Sequence, residues 1–124
     1  MELETLIKQL NKVYSKETCY PKCRKDWTPQ NNTLGHCSIA SLIVMDYFKG
    51  KIYKTKVDGI SHYFNIVDNK IIDLTSSQFQ KKIDYSIKEE KERNELLKDK
   101  DTKERYLLLK KKLEESLKIE KEKR

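Results

Sequence analysis

Residues 60–75 read ISHYFNIVDNKIIDLT, and their two-residue alternation decides the fold class. β-Branched and aromatic side chains crowd 60–67 and 70–75, as a pleated, half-buried surface requires. Between the two runs, Asp68-Asn69 supplies residues able to take the positive φ of a tight hairpin. Setting Val67 opposite Lys70 fixes every later pair, with Phe64 opposite Asp73 and His62 opposite Thr75. Because side chains alternate, His62, Phe64, Asp73 and Thr75 project from one face, with His62 and Asp73 diagonal neighbours roughly 5–8 Å apart at Cβ. An Asp–His hydrogen bond closes such a gap. Ile60, Ile66 and Ile71 fall on the same face, so this is the face expected to pack against a helix.

Upstream, IYKTKV at 52–57 continues the period of two, and Asp58-Gly59 is a second hairpin signal, so three antiparallel strands are expected. Before them, GHCSIASLIVMDYF at 35–48 is apolar on several sides, which predicts a helix almost wholly buried. Leu3, Leu6, Ile7, Leu10, Val13 and Tyr14 line one face of a first helix over about 2–15. The intervening 16–34 has no periodicity and holds both prolines; loops of this length are usually functional or poorly ordered. Beyond SSQF the chain turns helical again, with Thr102 as N-cap and Tyr106, Leu109, Leu113 and Leu117 as an apolar stripe. The expectation is an α+β fold: a buried helix carrying a cysteine at its N-terminus, packed on a small antiparallel sheet, with N- and C-terminal helices. It forms one domain over 1–117, followed by a charged, frayed end over 118–124.

The 124 residues are 38% charged with only 3 Gly and 2 Pro, which excludes collagen-like and Pro/Gly-rich disordered classes. No apolar run approaches the roughly 20 residues of a membrane span, and the opening MELETLIKQL carries acids where a signal peptide needs basic residues. A cytoplasmic protein is expected. Three cysteines in a reducing compartment do not suggest a disulfide framework. Charge is concentrated in 80–124, with 16 basic and 12 acidic residues out of the 27 and 20 in the chain. A net charge of +7 allows weak attraction to anionic polymers and surfaces. Interleaved Lys and Glu read instead as a solvated helix face, so neither a specific nucleic-acid partner nor a membrane is expected. Nothing in the pattern assigns an oligomeric state.

Cys37 opens the buried helix, where unpaired backbone N–H groups and the positive end of the helix dipole favour a thiolate. Such a cysteine is either an activated nucleophile or a small buried side chain. The hairpin weighs toward the first, since it sets an imidazole and a carboxylate on one surface. The order Cys, His, Asp and this architecture are those of papain-like thiol enzymes, in which the histidine moves the proton and the carboxylate fixes its tautomer. A structural hydrogen bond is the alternative for His62 and Asp73.

Several motifs then carry a resemblance. Glu17-Thr18, WTPQNNTLGHC (27–37), MDYFKGKI (45–52), SHYFNIVDNKIIDLTSSQF (61–79) and ERYLLLKKKL (104–113) resemble, over about 17–113, the YunG-like family of small bacterial proteins. The family pattern is a Trp, an Asn-Pro, Gly-Gln-Cys opening a helix, Gly-Gly before a strand, His-Tyr-Tyr/Phe-Asn, Asp-Leu-Thr, Gln-Phe and a late Arg-Tyr helix. Its cysteine, histidine and aspartate match Cys37, His62 and Asp73, which implies a papain-like or transglutaminase-like fold. The resemblance brings no settled reaction with it.

The chain departs from that pattern at His36 for Gln, Asn31-Asn32 for Asn-Pro, and Lys49 for one glycine of the pair. A Gln before the cysteine can donate to an oxyanion, so His36 must replace it with a ring N–H or the donor must come from elsewhere; alternatively His36 is itself the base. Trp27 is a pocket wall or a structural anchor. Cys19 and Cys23 have the spacing of a zinc pair but lack a second well-spaced pair, so they are read as loop thiols and no metal is expected. Asn65, off the His62 face, is expected to be a structural hydrogen-bonder. The reaction expected is thiol-dependent hydrolysis or acyl transfer on an amide, such as one in a peptide or protein, with Cys37 as nucleophile, His62 as base and acid, Asp73 as orienter and no cofactor. The alternative is an inactive scaffold that binds a protein partner through its basic helical tail.

Overall fold

The structure is a computed structural model and describes residues 1–123. Helix α1 (Leu3–Val13) leads through 3₁₀ turns at Pro21–Asp26 and Pro29–Asn31 into α2 (Cys37–Phe48). Strands β1 (Lys51–Val57), β2 (Ile60–Val67) and β3 (Lys70–Ile72) follow, then a 3₁₀ turn at Ser76–Gln78, β4 (Glu89–Lys91), α3 (Arg93–Leu97) and α4 (Lys100–Glu122). The sheet is antiparallel with order β3-β2-β1-β4. No helix among the described residues is long and apolar enough to cross a membrane.

Both hairpins turn where the sequence placed them. Asp58 and Gly59 have φ of 52° and 78°, Asp68 and Asn69 of 51° and 65°, the left-handed pair that matches the twist of flanking strands. The register pairs Val67 with Lys70 and Asn65 with Ile72, as the alternation requires. Strand β3 ends at Ile72, earlier than the run to Thr75 suggested, because Asp73 turns away to receive hydrogen bonds.

The face of the sheet that takes α2 is the opposite of the one expected. Asn65 is buried and its Nδ2 donates to the Ser41 carbonyl of α2 at 3.0 Å. Ile52 and Val67, on the same face as Asn65, join Leu6, Leu10, Leu42, Ile43, Leu109 and Leu113 in the core shared by α1, α2 and α4. The His62 face is covered instead by the chain after β3: Phe79 meets the His62 ring edge-on at 4.9 Å, and Tyr85 meets Phe64 at 4.8 Å. Both faces of β2 are apolar, so alternation alone left the choice open. Asn65 tips it, because its amide finds a carbonyl partner on the helix face.

Two elements were not anticipated. Strand β4 (Glu-Glu-Lys) pairs with Ile52–Lys54 of β1, with a Lys51–Glu90 ion pair at 3.4 Å. Helix α3 opens with a reciprocal capping box between Glu92 and Glu95. Helix α4 starts one turn before the expected Thr102 cap, with Asp99 capping the Thr102 N–H, and is helical to Glu122; Arg124, at the end of the segment expected to fray, lies outside the described residues. The packing of α4 nevertheless weakens along its length, since Arg105, Tyr106, Leu109 and Leu113 are its buried residues.

Candidate functional site

Cys37 is the first residue of α2, and no side chain caps the helix there. Its backbone N–H therefore belongs to the group of donors that a helix start leaves without intrahelical acceptors. His62 is fully buried, and its Nε2 meets Asp73 Oδ2 at 2.6 Å. The carboxylate is itself held on every side. Asp73 Oδ2 also accepts from the Tyr85 hydroxyl at 2.8 Å, and Oδ1 accepts from the Thr75 N–H at 3.1 Å and hydroxyl at 3.5 Å. An acid this well supplied with donors keeps Nε2 of His62 as the protonated nitrogen, and so fixes the tautomer.

That leaves Nδ1. It is buried and has no partner at full hydrogen-bond geometry. Cys37 lies beside the ring, and its effect on the imidazole is felt: burial opposes the charged form, but the Asp73 hydrogen bond, the adjoining Cys37 sulfur and the charges of both hold His62 up at about 9. A buried polar atom left unpaired in an otherwise satisfied structure calls for an explanation. Here the group beside the ring is the half-buried Cys37, and with His62 raised to about 9 the ring is charged near pH 7.

The structure therefore bonds His62 to Asp73 and leaves Cys37 beside the ring with Nδ1 unpartnered. Two other expected participants stand apart. The His36 ring is fully buried with both nitrogens engaged: Nδ1 donates to the Leu34 carbonyl at 2.9 Å, and Nε2 meets the Thr18 hydroxyl at 2.7 Å. Burial, reinforced by the Arg105 charge and only partly offset by the Leu34 hydrogen bond, lowers His36 to about 4. It is neutral near pH 7: Nδ1–H is spent on Leu34, so none is free for an oxyanion, and the Nε2 lone pair is spent on Thr18, so none is free for service as the base. Trp27 donates from Nε1 to the Asn32 carbonyl at 2.9 Å and packs on the core, which is the anchor reading.

The remaining cysteines sit in the loop that leads into α2. Cys19 is buried with its thiol on the Leu34 carbonyl at 3.2 Å, and burial pushes it up to about 11. Cys23 is half-buried, and burial followed by the neighbouring Cys37 and Asp26 charges raises it as well. Among the described residues no group of three or more His, Cys, Asp and Glu side chains is arranged to hold a metal ion.

Sequence reasoning missed two supports of the site. Tyr85, which hydrogen-bonds Asp73, lies in a segment without periodicity and carries no sequence signal. Arg105 of α4 is buried; its Nη1 donates to the Thr18 carbonyl at 3.1 Å and the Gly35 carbonyl at 3.4 Å, while Nε pairs with Asp101 at 2.7 Å. The late helix thus braces the turn from which α2 starts. A basic residue at a position that falls beside the Tyr106 stripe was the available signal.

The chain matches the sequence pattern of the YunG protein family over residues 2–118, nearly its whole length, and belongs to that family. It is 39% identical over 59 residues to the uncharacterized protein YunG of Bacillus subtilis (strain 168), a stretch amounting to 48% of this chain and 51% of that protein. The alignment thus spans about half the length of the curated relative. No solved structure matches.

Proposed function

We propose that this member of the YunG family performs papain-like thiol chemistry on an amide, by hydrolysis or by acyl transfer to an amine. The observation that supports the reading is the buried, unpartnered Nδ1 of His62, on a ring held through Nε2 by Asp73 at 2.6 Å and raised by the neighbouring Cys37. The raised His62 holds the proton drawn from Cys37 as an imidazolium, and the Cys37 thiolate attacks the amide carbon, forming a tetrahedral oxyanion. The Cys37 N–H at the uncapped helix start is the donor on hand for that oxyanion, a role His36 does not fill. Collapse breaks the C–N bond, and His62 returns the proton to the departing amine. Water, or a second amine, then attacks the thioester and restores the thiol. Asp73 keeps its charge throughout and stabilises the imidazolium. No cofactor enters these steps.

Alkylation with iodoacetamide at pH 6, followed by peptide mapping, tests this. Cys23 and Cys37 are both half-buried, so their rates compare reactivity rather than access. Cys37 is expected to label well ahead of Cys23, with buried Cys19 slowest. Labelling of Cys37 no faster than Cys23 would refute the proposal. The alternative of a partner-binding scaffold finds less support, because Arg105, Lys110 and Lys112 of the basic helix pair with Asp101, Asp46 and Glu17 of this same chain.

A further inference from the structure

The Gln-Phe pair at 78–79 has no part in the chemistry just described, yet it lies between the two halves of the site. Gly35, two residues before Cys37, donates its N–H to Gln78 Oε1 at 3.3 Å, and Gln78 Nε2 donates to the Thr75 carbonyl at 3.1 Å. A backbone donor on one side and a backbone acceptor on the other fix the orientation of the amide, so both ends of the side chain are used. Thr75 in turn holds Asp73 Oδ1 through its N–H, and Asp73 holds His62. A second bridge, Thr33 Oγ1 to Ser77 Oγ at 2.9 Å, joins the same two segments. Phe79 closes the edge of the His62 ring.

Gly35 is a fixed point rather than a yielding loop residue. Its φ is 75°, and a Cβ placed there would stand 2.5 Å from Cys19 Sγ and 2.9 Å from the Tyr20 nitrogen. Its carbonyl accepts from the Tyr20 N–H at 2.9 Å and from Arg105 at 3.4 Å. The sheet side of the site is fixed by the β2–β3 register. α2 anchors on the other face of the sheet through Asn65 and Ser41, and on the His62 side the two halves are spanned by the Gln78 and Thr33–Ser77 bridges.

We infer that Gln78 is a positioning residue: by clasping Gly35 to Thr75 it sets the distance between the Cys37 sulfur and the His62 ring. This rests on the thiol reading above. The side chain touches neither reacting atom; it acts through Gly35 on the nucleophile and through Thr75 on the orienting acid. Gln78→Met keeps length and bulk and removes both hydrogen bonds, while Gln78→Glu keeps the acceptor for Gly35 but sets a carboxylate oxygen against the Thr75 carbonyl.

The test measures the His62 titration by NMR in the full chain, together with the iodoacetamide rate of Cys37 at pH 6. With the clasp released, Cys37 no longer supports the imidazolium. In Gln78→Met the His62 midpoint is expected to fall by ~1 unit or more and the Cys37 rate by ~10-fold or more. Gln78→Glu is expected to fall between it and the unmodified protein, and serves alone if Gln78→Met does not fold. A merely structural glutamine would lower the melting temperature and leave both readings in place; an unchanged His62 midpoint in the folded variants overturns the inference. The two proposals fail separately. A Cys37 that alkylates slowly in the unmodified protein sinks the thiol chemistry, whereas the clasp is judged by the His62 midpoint whichever way that result falls.

Discussion

Replacing Asp73 by Asn changes one atom and asks the most of this site. Asp73 takes four hydrogen bonds and gives none: two from Thr75 on Oδ1, and those of His62 Nε2 and the Tyr85 hydroxyl on Oδ2. An amide has one accepting end. The Thr75 backbone N–H cannot turn away, so the amide oxygen goes to Thr75 and the NH₂ faces His62 and Tyr85. The phenol can rotate its hydrogen, but His62 must present a bare Nε2. Its proton then moves to Nδ1, the nitrogen beside Cys37, and the ring can no longer accept from the thiol.

The cost follows from linkage. His62 stands at about 9 against an ordinary 6.5, a gap worth roughly 3 kcal/mol at about 1.4 kcal/mol per unit. For a raised histidine this stabilisation is complete below pH 6.5 and disappears as pH rises through the folded value. Asp73→Asn, with Cys37 still supplying part of the rise, should therefore be less stable than the unmodified protein by up to about 4 kcal/mol at pH 6, and by about 1 kcal/mol at pH 9.5, where a neutral hydrogen bond is all that remains to lose. Urea unfolding of both proteins at the two pH values measures this. Cys19 and Cys23, whose raised thiols also penalise the folded state in alkali, are common to both proteins and cancel in the difference. Tyr85, pushed up by burial and by Asp73, titrates above the window. A stability difference that stays flat from pH 6 to 9.5 would show that His62 is not charged in the native site, and the imidazolium would have to be abandoned.

Other expectations concern the scaffold. Lys49 has φ 66° and ψ −134°, a conformation nearly reserved for glycine, and its side chain is exposed. Lys49→Gly should stabilise the protein by about 1 kcal/mol, strain of roughly 1–3 kcal/mol relieved less the added freedom of the unfolded chain, and raise the melting temperature by roughly 3–6 °C; a lower melting temperature would contradict it. Gly50→Ala should be severely destabilising, since its Cβ would lie 2.5 Å from the Ile66 carbonyl oxygen and 2.7 Å from a Val67 methyl; a near-native urea midpoint would disprove that packing. Deleting 118–124 removes only an exposed Lys12–Glu120 pair at 3.9 Å from the described contacts and should shift the melting temperature little, whereas deleting 102–124 removes Arg105, Tyr106, Leu109 and Leu113 and should unfold the domain. Equal melting temperatures for the two truncations would make α4 an appendage.

What the sequence revealed divides along a physical line. Local rules sufficed wherever geometry is set by neighbours along the chain. The two positive-φ turns fixed the β1–β2 and β2–β3 register, and with it the pairing of His62 and Asp73, before any packing was known. The apolar circumference of 35–48 announced a buried helix. The orientation of the sheet was a different matter, because Phe64 and Ile66 on one face and Tyr63 and Val67 on the other offer comparable apolar surface. That choice was made by a polar residue, Asn65, whose burial depends on a carbonyl from another element. Strand β4 was invisible for a related reason. Glu-Glu-Lys has no β propensity of its own and is held by its β1 partner and by Lys51.

The same division explains the site. The three groups proposed for chemistry were legible because two share a hairpin and the third opens a helix. Their supports, Arg105, Tyr85 and Gln78, were not, since each reaches its partner across a turn or from an element far away in sequence. His36 shows the risk of reading role from adjacency. Lying next to Cys37 in sequence, it stood where the resemblance led an oxyanion donor to be expected. A residue at the helix N-cap with φ −114° and ψ 1° instead turns its ring back into the loop, where Thr18 and Leu34 consume both nitrogens. His36 thus offers no donor of the kind expected of a glutamine before the cysteine, and in the proposed chemistry the oxyanion draws on the helix backbone. Substituting His36→Gln then separates two roles. If the side-chain amide restores a donor at the site, processing of an amide substrate should rise while the melting temperature falls from loss of the buried Thr18 and Leu34 bonds. A melting temperature that rises with no change in the Cys37 alkylation rate would mean that the buried ring was the weaker structural choice, and that this position never faced the reacting carbonyl.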